Sequence, residues 1–279
     1  MSPSSLDIII VNHNTRDELM ACLRSIVEAP PRELGTVFVV DNASTDDSVA
    51  RVREALPQVT LLALDRNVGF AAANNIAIRR STATLVLLLN SDTLVPPGGI
   101  DTLAERLTTT ASVAAGPRLV DDTGRPEISF GPMLSPWAEW RQRTRVRRAL
   151  SDSPRAQAAT RRLIATERHV DWVTGACLLV RRDAAIRAGL LDERYFMYEE
   201  DVDFCAALRA AGGRILFTPA AEVIHLRGRS IARGVTASTA HYDRSHVLFY
   251  EKHLPGWAPL LRFWLRLRGR VIRFVVSAS

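Results

Sequence analysis

The stretch that decides the fold is LVLLLNSDTLV (residues 85–95). Five apolar residues in it run directly into the polar residues Asn90, Ser91 and Asp92. A short apolar run ended by turn-forming residues is typical of a buried strand in an α/β sheet. Asp92 then lies just beyond the carboxyl end of the strand, where open α/β sheets bind ligands and where a carboxylate can hold a divalent cation. The alternative is that Ser91 or Asp92 only ends the strand and caps the next helix.

Three further apolar runs precede this stretch, and each is followed by polar residues and a helical pattern. The predicted strands cover residues 6–11, 36–40, 59–64 and 85–89. Strands that alternate with helices predict a parallel sheet with right-handed crossovers. The polar residues that follow the four strands are then expected to share one crevice. These residues are Asn12 to Asn14, Asp41, Arg66, Asn67 and Asp92.

The usual nucleotide-binding motifs are absent from the sequence. It contains neither GxGxxG after the first strand nor GxxxxGK[ST], which argues against a Rossmann dehydrogenase and a P-loop protein. In the predicted crevice, Asp41 could accept a hydrogen bond from a pyrimidine N–H and Arg66 could pair with a diphosphate. Taken singly, Asp41 is an ordinary turn residue and Arg66 an ordinary solvated one.

A second carboxylate site is predicted in FMYEEDVDFCAALRAAGG (residues 196–213). Acidic residues at its start and glycines at its end indicate a helix. Asp201 falls on the apolar face of that helix, whereas Asp203 is predicted to point away. An inward carboxylate with Glu199 and Glu200 nearby has a raised proton affinity, which suits a general base. The alternative is that Asp201 caps the helix.

Two other positions are candidates for the site. Gly175 lies in VDWVTGACLLVRR (residues 170–182), a predicted strand, where a missing side chain lets another group approach the backbone. His225 follows a later strand; a neutral imidazole there can add a ligand to a cation held by one carboxylate, although a single histidine is more often structural.

The middle of the chain, from about residue 111 to 169, has a weaker pattern. Glycines and prolines interrupt it, and two Arg-rich helices are predicted, WAEWRQRTRVRRAL and RAQAATRRLIATER. This segment could clamp an anionic acceptor, or it could form solvated surface helices with scattered ion pairs.

The excess positive charge of the chain is concentrated in its C-terminal tail. Lys and Arg exceed Asp and Glu by six, and six basic residues with no acidic residue follow Glu251. Residues 1–251 are therefore balanced, which argues against a nucleic-acid-binding protein. A local basic segment favours an anionic partner such as a membrane surface.

The tail from Trp257 to Val276 has the pattern of an amphipathic helix. Its arginines fall on one stripe opposite Leu, Trp, Val and Phe side chains, which predicts binding in the anionic headgroup layer of the inner leaflet. The alternative is packing on its own domain or on a second subunit of a homodimer. The stripe consists of Arg262, Arg266, Arg270 and Arg273.

The three cysteines, Cys22, Cys177 and Cys205, are widely spaced and form no CxxC pair. This usage fits a reduced protein with buried thiols better than a disulfide or zinc framework. No basic segment precedes the first apolar run, and no stretch reaches about 18 apolar residues. We expect no signal peptide, no spanning helix, and a location on the cytoplasmic face of the cell membrane.

Six segments of the sequence form an ordered series of motifs. They are VNHN at Val11, VVDNASTDDS at Val39, RNVGFAAANN at Arg66, LLLNSD at Leu87, TGACLLVRR at Thr174 and FMYEEDVDFC at Phe196. This series resembles that of the family 2 glycosyltransferases, of the bacterial rhamnosyltransferase-like kind. The resemblance covers roughly residues 6–230, and the order of the motifs makes it specific.

The resemblance implies a GT-A fold, a nucleotide-sugar donor, Mg²⁺ or Mn²⁺, and inversion at the anomeric carbon. By position, Asp41 resembles the aspartate that binds the base, Asp92 the metal-binding end of a DxD-like motif, and Asp201 the catalytic base of an ED motif. His225 resembles a late histidine that helps to hold the metal. The sequence departs from the family pattern at His13, where Tyr is common, at Asn90, which replaces the first Asp, and at Ala207, where Arg often follows the ED motif.

The expected sites follow from these motifs. Asp201 is the expected catalytic base, and Asp92 and His225 are the expected metal ligands. The expected acceptor-binding residues are Trp172, Gly175 and Glu200. The expected donor-binding residues are Asn12, Asn14, Asp41, Arg66, Asn67, Gly69, Asn75, Ser91 and Asp92.

We therefore expect an α/β protein of GT-A fold with a mostly parallel central sheet flanked by helices. Residues 1–230 form the expected catalytic domain, with a donor-binding half (1–110) and an acceptor-binding half (111–230), and residues 231–279 form a basic helical extension. The expected activity is transfer from a dTDP- or UDP-sugar, with dTDP-rhamnose favoured, to a polyprenyl-diphosphate-linked glycan in envelope synthesis. The alternative is a non-catalytic protein that binds a nucleotide sugar or a lipid headgroup.

Overall fold

The structure, a computed structural model, describes residues 5–226 and 235–268. The strands are β1 Leu6–Asn12, β2 Leu34–Asp41, β3 Thr60–Ala63, β4 Leu85–Asn90, β5 Thr93–Leu94, β6 Ala114–Val120, β7 Phe130–Gly131, β8 Arg168–Val170, β9 Trp172–Val173, β10 Cys177–Arg181 and β11 Ile215–His225. The helices are α1 Arg16–Glu28, α2 Ser48–Ala55, α3 Phe70–Arg80, α4 Gly99–Thr109, α5 Pro136–Ala149, α6 Pro154–Ile164, α7 Arg182–Arg187, α8 Glu200–Ala210, α9 Val235–His253 and α10 Ala258–Leu267.

The central sheet begins with the four strands that the sequence predicts. They lie in the order β3-β2-β1-β4 and all pair in parallel. β10 then pairs antiparallel with β4 and with β6, and β6 pairs in parallel with β11. The sheet is therefore parallel in its first half and mixed in its second.

The strand order reverses between β1 and β4, which makes this position the switch point of the sheet. Val11 pairs with Asn90, and Asn12 pairs with Asp41, so the ends of three strands meet at one edge. A crevice at such a reversal is where open α/β sheets bind ligands. The polar residues quoted from the sequence thus share the edge predicted for them.

Two apolar layers cover the two faces of the sheet. Side chains alternate along each strand, so that Ile8 and Ile10 enter one layer and Ile9 enters the other. Helices α1 and α4 pack on the first face through residues such as Leu23 and Leu103. Helices α3 and α8 pack on the second face. This alternation explains why fully apolar strands are required here: both of their faces are buried.

The C-terminal helices pack on the same domain through a third apolar cluster. Tyr195 and Val202 from the segment around the start of α8 contact Phe249 and Tyr250 of α9 and Ala258 of α10. Helix α10 realises the first part of the predicted tail helix, whereas Arg270 and Arg273 lie outside the described residues. Within the described ranges, no helix has both the length and the apolar character needed to cross a bilayer.

The cysteines are buried and free, as the sequence predicts. Burial raises the pKa of the Cys22 and Cys205 thiols to about 12. A thiol with so high a pKa is a poor nucleophile at neutral pH, so these residues act as small core side chains.

Candidate active site

Asn12, at the end of β1, organises the edge of the sheet at the switch point. Its amide donates to Asp41 Oδ2 at 2.8 Å and to Ser44 Oγ at 3.0 Å. Its carbonyl oxygen accepts from the Thr15 hydroxyl at 2.7 Å, and that hydroxyl lies 2.8 Å from the Ser91 hydroxyl. The Asn12 amide therefore connects the loops that follow β1 and β2, and the Thr15 hydroxyl extends this network to the loop after β4. Asn12 and Ser91 hold the shape of this edge.

Asp41 lies at the same edge and is only 2% exposed. Besides the amide of Asn12, its carboxylate accepts the backbone N–H of Ser44 at 2.9 Å. Each carboxylate oxygen carries a second lone pair, so the group retains capacity to accept an N–H from a base. The structure therefore puts Asp41 at the expected edge and adds a role in shaping the loop after β2.

The loop after β3, which holds Arg66, Asn67 and Gly69, is fixed by a residue that the sequence analysis did not identify. The Asn42 amide accepts from the Val68 N–H at 2.8 Å and donates to the Gly69 carbonyl at 3.2 Å. Within the loop, Asn67 accepts from the Gly69 N–H at 3.0 Å, and Arg66 is exposed. Asn42 directly follows the predicted site residue Asp41, which is the only sequence signal that could have marked it.

Asn14 shapes the neighbouring loop. It has a positive φ of 56°, a conformation that Asn tolerates better than most residues. Its side-chain oxygen accepts the N–H of Thr45 at 2.7 Å. The side chain predicted to contact the donor therefore also braces the turn after β2.

Asn75 differs from the other predicted donor residues. It lies on α3, where its amide donates to the Leu191 carbonyl at 2.8 Å and to Glu193 at 2.9 Å and accepts the Leu191 N–H at 3.1 Å. These bonds occupy both sides of the amide. We therefore assign Asn75 to joining α3 with the 191–193 segment.

Asp92 and His225 meet, as the sequence predicts. The β5–β11 pairing sets His225 opposite Thr93, and His225 Nε2 lies 3.2 Å from Asp92 Oδ1. Glu127, which the sequence analysis missed, lies 3.2 Å from the other ring nitrogen. Glu127 lies in the Gly- and Pro-rich part of the chain, and no local pattern marks it.

The charges around His225 favour its cationic form. Burial alone lowers the pKa of this histidine, but its hydrogen bonds with Asp92 and Glu127 outweigh burial and raise the pKa to about 9. An imidazole must lose this proton to bind a metal ion, and two carboxylates beside it make the neighbourhood attractive to a cation.

The side chains of Asp92 and His225 offer a partial metal site. No group of three or more His, Cys, Asp and Glu side chains among the described residues forms a complete metal centre. A carboxylate and an imidazole at 3.2 Å can still serve as the protein ligands of an ion that takes its other ligands from a diphosphate and water. The other ring nitrogen of His225 contacts the Glu127 carboxylate, and such a contact orients the imidazole of metal-binding histidines.

Asp201, in the first turn of α8, is held by backbone groups. Its Oδ2 accepts the Gly175 N–H at 2.7 Å, and its Oδ1 accepts the Val202 N–H at 2.8 Å. Burial raises the pKa of this carboxyl, and these hydrogen bonds only partly oppose the shift. Asp201 is therefore oriented and has an increased affinity for a proton.

One short segment joins the two carboxylate sites. The Asn90 N–H, two residues before Asp92, donates to the Ala176 carbonyl at 3.0 Å. Gly175, the neighbour of Ala176, donates to Asp201. The antiparallel pairing of β10 with β4 thus brings the support of Asp201 to the carboxyl end of the strand that carries Asp92.

The acidic residues around Asp201 are buried to an extent that the sequence pattern did not show. Burial raises the pKa of Glu199 and raises that of Glu200 well above its usual range. Asp203 was predicted to point away from the protein, and that prediction is wrong: it is 2% exposed. Lys252 and His253 of α9 contact its carboxylate at 2.8 and 2.6 Å. These partners, distant in sequence, cover a helix face that would otherwise be solvated.

Trp172 of β9 is half-buried beside α8. Its indole N–H donates to the Pro132 carbonyl at 2.8 Å, and its ring lies against Gly131, where a β-carbon would be 2.7 Å away. The polar atom of Trp172 is therefore engaged within the protein, and only its ring surface is available for an acceptor.

Comparison with known proteins identifies the family to which this chain belongs. Residues 7–185 match the family described as Glycosyl transferase family 2. The chain is also similar to the N-acetylglucosaminyl-diphospho-decaprenol L-rhamnosyltransferase of Mycobacterium tuberculosis (strain CDC 1551 / Oshkosh). The two are 30% identical over 285 residues, which cover 94% of this chain and 89% of that protein.

Solved structures share the fold at low sequence identity. The mannosyltransferase PcManGT from Pyrobaculum calidifontis, in complex with GDP-Man and Mn²⁺, gives a TM-score of 0.61 at 20% identity, covering 92% of this chain and 67% of that chain. GalNAc-T7 with UDP, GalNAc and Mn²⁺ gives 0.58 at 16% identity, covering 80% of this chain and 44% of that chain. The chain thus spans less than half of the second structure, and both likenesses concern the fold.

Proposed function

Because this chain belongs to glycosyl transferase family 2 and is a glycosyltransferase, we propose that it moves L-rhamnose from a nucleotide-diphosphate donor to a polyprenyl-diphosphate-linked N-acetylglucosamine in envelope synthesis. The observation that carries this proposal is the 30% identity over 94% of the chain to an enzyme named for that sugar and that class of acceptor. Asp41 can accept the N–H that thymine and uracil share. The resemblance to rhamnosyltransferases favours dTDP-rhamnose over a UDP-sugar.

In the proposed mechanism, Asp201 is the general base. It takes the proton of an acceptor hydroxyl, and the oxygen attacks the anomeric carbon on the face opposite the nucleoside diphosphate, which leaves. A single displacement inverts the anomeric centre. The hydrogen bonds from Gly175 and Val202 orient the carboxylate, and burial raises its pKa, which increases its affinity for the proton of the hydroxyl.

Asp92 and His225 are the residues proposed to hold Mg²⁺ or Mn²⁺. When bound, such an ion neutralises charge that develops on the departing diphosphate. The 3.2 Å approach of Asp92 to His225, with Glu127 behind the ring, supports this assignment. Two proteins of similar fold have structures with Mn²⁺. Arg66, Asn67 and Gly69 on the loop after β3 are the proposed contacts to the donor, and Trp172 and Glu200 those to the acceptor.

The proposed acceptor is a membrane lipid, so we also propose that the protein works at the cytoplasmic face of the membrane. Helix α10 supports this, because it has no acidic residue and exposes Leu260, Phe263 and Leu267 beside Arg262 and Arg266. A basic helix with exposed apolar side chains suits an anionic headgroup layer. A homodimer built through α10 is the competing arrangement.

The test begins with donor binding. Thermal shift against a panel of nucleotide sugars with Mg²⁺ or Mn²⁺ should show the largest stabilisation for dTDP-rhamnose, because ligands that bind the native state raise the melting temperature. Release of dTDP should then require a polyprenyl-diphosphate-linked N-acetylglucosamine. Donor binding without release, with any lipid acceptor, would support the non-catalytic alternative.

The Asp201→Asn variant tests the base. It should lose turnover by a factor of about 10² or more, the usual contribution of a general base, and retain donor binding. Asp183→Asn, on the exposed surface of α7, is the matched control and should behave like the wild type. Near-normal turnover by Asp201→Asn would remove Asp201 from this role.

A further inference from the structure

Helix α5 exposes two tryptophans side by side. Trp137 is 65% exposed and Trp140 is 59% exposed. Their rings stack with centroids 4.9 Å apart. Two exposed tryptophan rings in contact form an apolar patch on the protein surface. Such patches mark interaction sites.

Arginines continue the same face of the helix. Positions 137, 140, 141, 144, 147 and 148 recur at helical spacing and therefore share one side of α5. This side holds Arg141, Arg147 and Arg148, all exposed. No carboxylate within the described ranges forms an ion pair with these three, whereas Arg143, at the margin of this side, pairs with Glu139. The tryptophans at one end and the free arginines along the rest define what we call the outward face of α5.

The opposite side of α5 packs against the rest of the protein. Gln142 donates to the Phe130 carbonyl at 2.9 Å, Val146 packs on the second core layer, and Ala149 is buried. Glu139 accepts from the Tyr250 hydroxyl of α9. The helix is thus fixed by its inward residues, and its fold does not require the tryptophans.

We propose that the outward face of α5 docks on an anionic phospholipid bilayer. Tryptophan rings concentrate at membrane interfaces, and arginines without acidic partners are attracted to anionic headgroups. A second copy of this chain fits the face less well, because each copy would bring three arginines without acidic partners into the same contact. This surface is separate from α10 and adds a second contact to the membrane association in the proposed function.

The position of the face relative to the base supports the proposal. His246 of α9 contacts Glu139 of α5 at 3.3 Å on one side and Glu199 at 2.7 Å on the other. Glu199 lies two residues before Asp201. A bilayer in contact with α5 would therefore lie one helix away from the segment that carries the base, which suits an acceptor whose lipid stays in the membrane.

The test is flotation of the full chain with vesicles of phosphatidylglycerol or of phosphatidylcholine. The wild type should float with the anionic vesicles only, and its tryptophan fluorescence should shift to the blue. The Trp137→Ser/Trp140→Ser variant should reduce partitioning about tenfold or more, because it removes the exposed apolar surface of the face. The Arg141→Gln/Arg147→Gln/Arg148→Gln variant should reduce it by about 10²-fold, the fold-change that corresponds to ~1 kcal/mol for each of three arginines near an anionic surface. Arg24→Gln/Arg51→Gln/Arg53→Gln, which removes the same charge from exposed positions on α1 and α2, should change it less.

The remaining outcomes decide against the proposal. The proposal is overturned if both α5 variants float as well as the wild type does, or if the wild type does not float. If the Trp137→Ser/Trp140→Ser variant changes a dimer into a monomer by light scattering and leaves flotation unchanged, the face is a contact between copies. Circular dichroism of each variant confirms folding. Flotation needs no substrate, so this test of membrane binding remains valid even if the proposed rhamnosyl transfer is not observed.

Discussion

Gly175 illustrates how one residue sets the geometry of Asp201, the proposed base. A β-carbon at this position would lie 3.3 Å from Asp201 Cβ and 3.5 Å from the ring of Phe70. The Gly175 N–H also donates to the Asp201 carboxylate. Gly175 therefore binds the Asp201 carboxylate through its N–H, and its lack of a side chain leaves space for Asp201.

We predict that Gly175→Ala lowers kcat about tenfold, because a shift of the carboxylate by a few tenths of an ångström spoils its approach to the hydroxyl. The melting temperature should change little. Gly256→Ala is the matched control, since a β-carbon there meets no atom within 4 Å. An unchanged kcat in a folded Gly175→Ala protein would show that the position of Asp201 is not critical.

Glu127 provides a second prediction at this scale. It lies against the ring nitrogen of His225 that faces away from Asp92, where a carboxylate orients a metal-binding imidazole. Glu127→Gln should weaken Mn²⁺ binding about 10- to 100-fold, measured by electron paramagnetic resonance in the presence of a nucleoside diphosphate. Glu222→Gln, three residues before His225 on β11, should bind Mn²⁺ normally. Equal affinities for the two variants would remove Glu127 from the metal site.

Between elements, the loop after β3 rests on the segment that precedes α8. Gly69 has a φ of +87°, and a β-carbon there would lie 2.5 Å from the Phe196 carbonyl oxygen. The next residue, Phe70, donates its N–H to that same oxygen at 2.7 Å. Tyr198 and Glu199 follow with positive φ angles of 72° and 64°. The loop after β3 and the segment before α8 are therefore shaped by one close contact.

We predict that Gly69→Ala destabilises the protein by roughly 2 kcal/mol or more, because it combines a strained φ with a collision against backbone. It should also weaken donor binding. Gly98→Ala is the control for a positive φ without a collision, because Gly98 has φ 75° and ψ −3° and a β-carbon there meets nothing within 4 Å. Gly69, with ψ 170°, has the more strained backbone for a residue with a side chain. Urea unfolding of both variants measures the difference; similar losses would show that the contact with Phe196 contributes nothing beyond strain.

Across the whole molecule, buried charges join α9 to α5 and to the segment that precedes α8. His246 of α9 lies between Glu139 and Glu199 and is nearly inaccessible to solvent. Burial lowers the pKa of His246, but the two carboxylates outweigh it and raise the pKa to about 10. Because Glu199 immediately precedes α8, this contact ties the C-terminal part of the chain to the segment that carries Asp201.

The stability of this junction should depend on pH. The folded-state pKa of His246 lies above the unfolded value of about 6.5, so its stabilisation is complete below that pH and is lost as the pH rises towards 10. The difference in the free energy of unfolding between the wild type and His246→Gln should be on the order of a few kcal/mol at pH 6 and shrink by pH 10. His13→Gln, at an exposed position, should show no such trend. A difference that is constant with pH would mean that His246 is not charged in the native protein.

The sequence by itself determined the alternation of strands and helices, the order of the motifs and the edge at which Asp41 and Asp92 lie. These follow from local patterns, because apolar runs specify buried strands and parallel strands end at a common edge. The helical spacing also predicted the buried face of α8 that carries Asp201. The proximity of Asp92 to His225 was predicted from the chemistry of an imidazole that adds a ligand to a carboxylate-bound cation, and from the family resemblance.

Only the tertiary structure decided what covers each face. Asp203 is buried because α9 brings Lys252 and His253 to it, and Glu127 reaches His225 across 98 positions of the chain. Periodicity orients a side chain relative to its own element but contains no information about the element that packs against it. The partners of buried charges, and the contact between Gly69 and Phe196, therefore had to come from the folded chain.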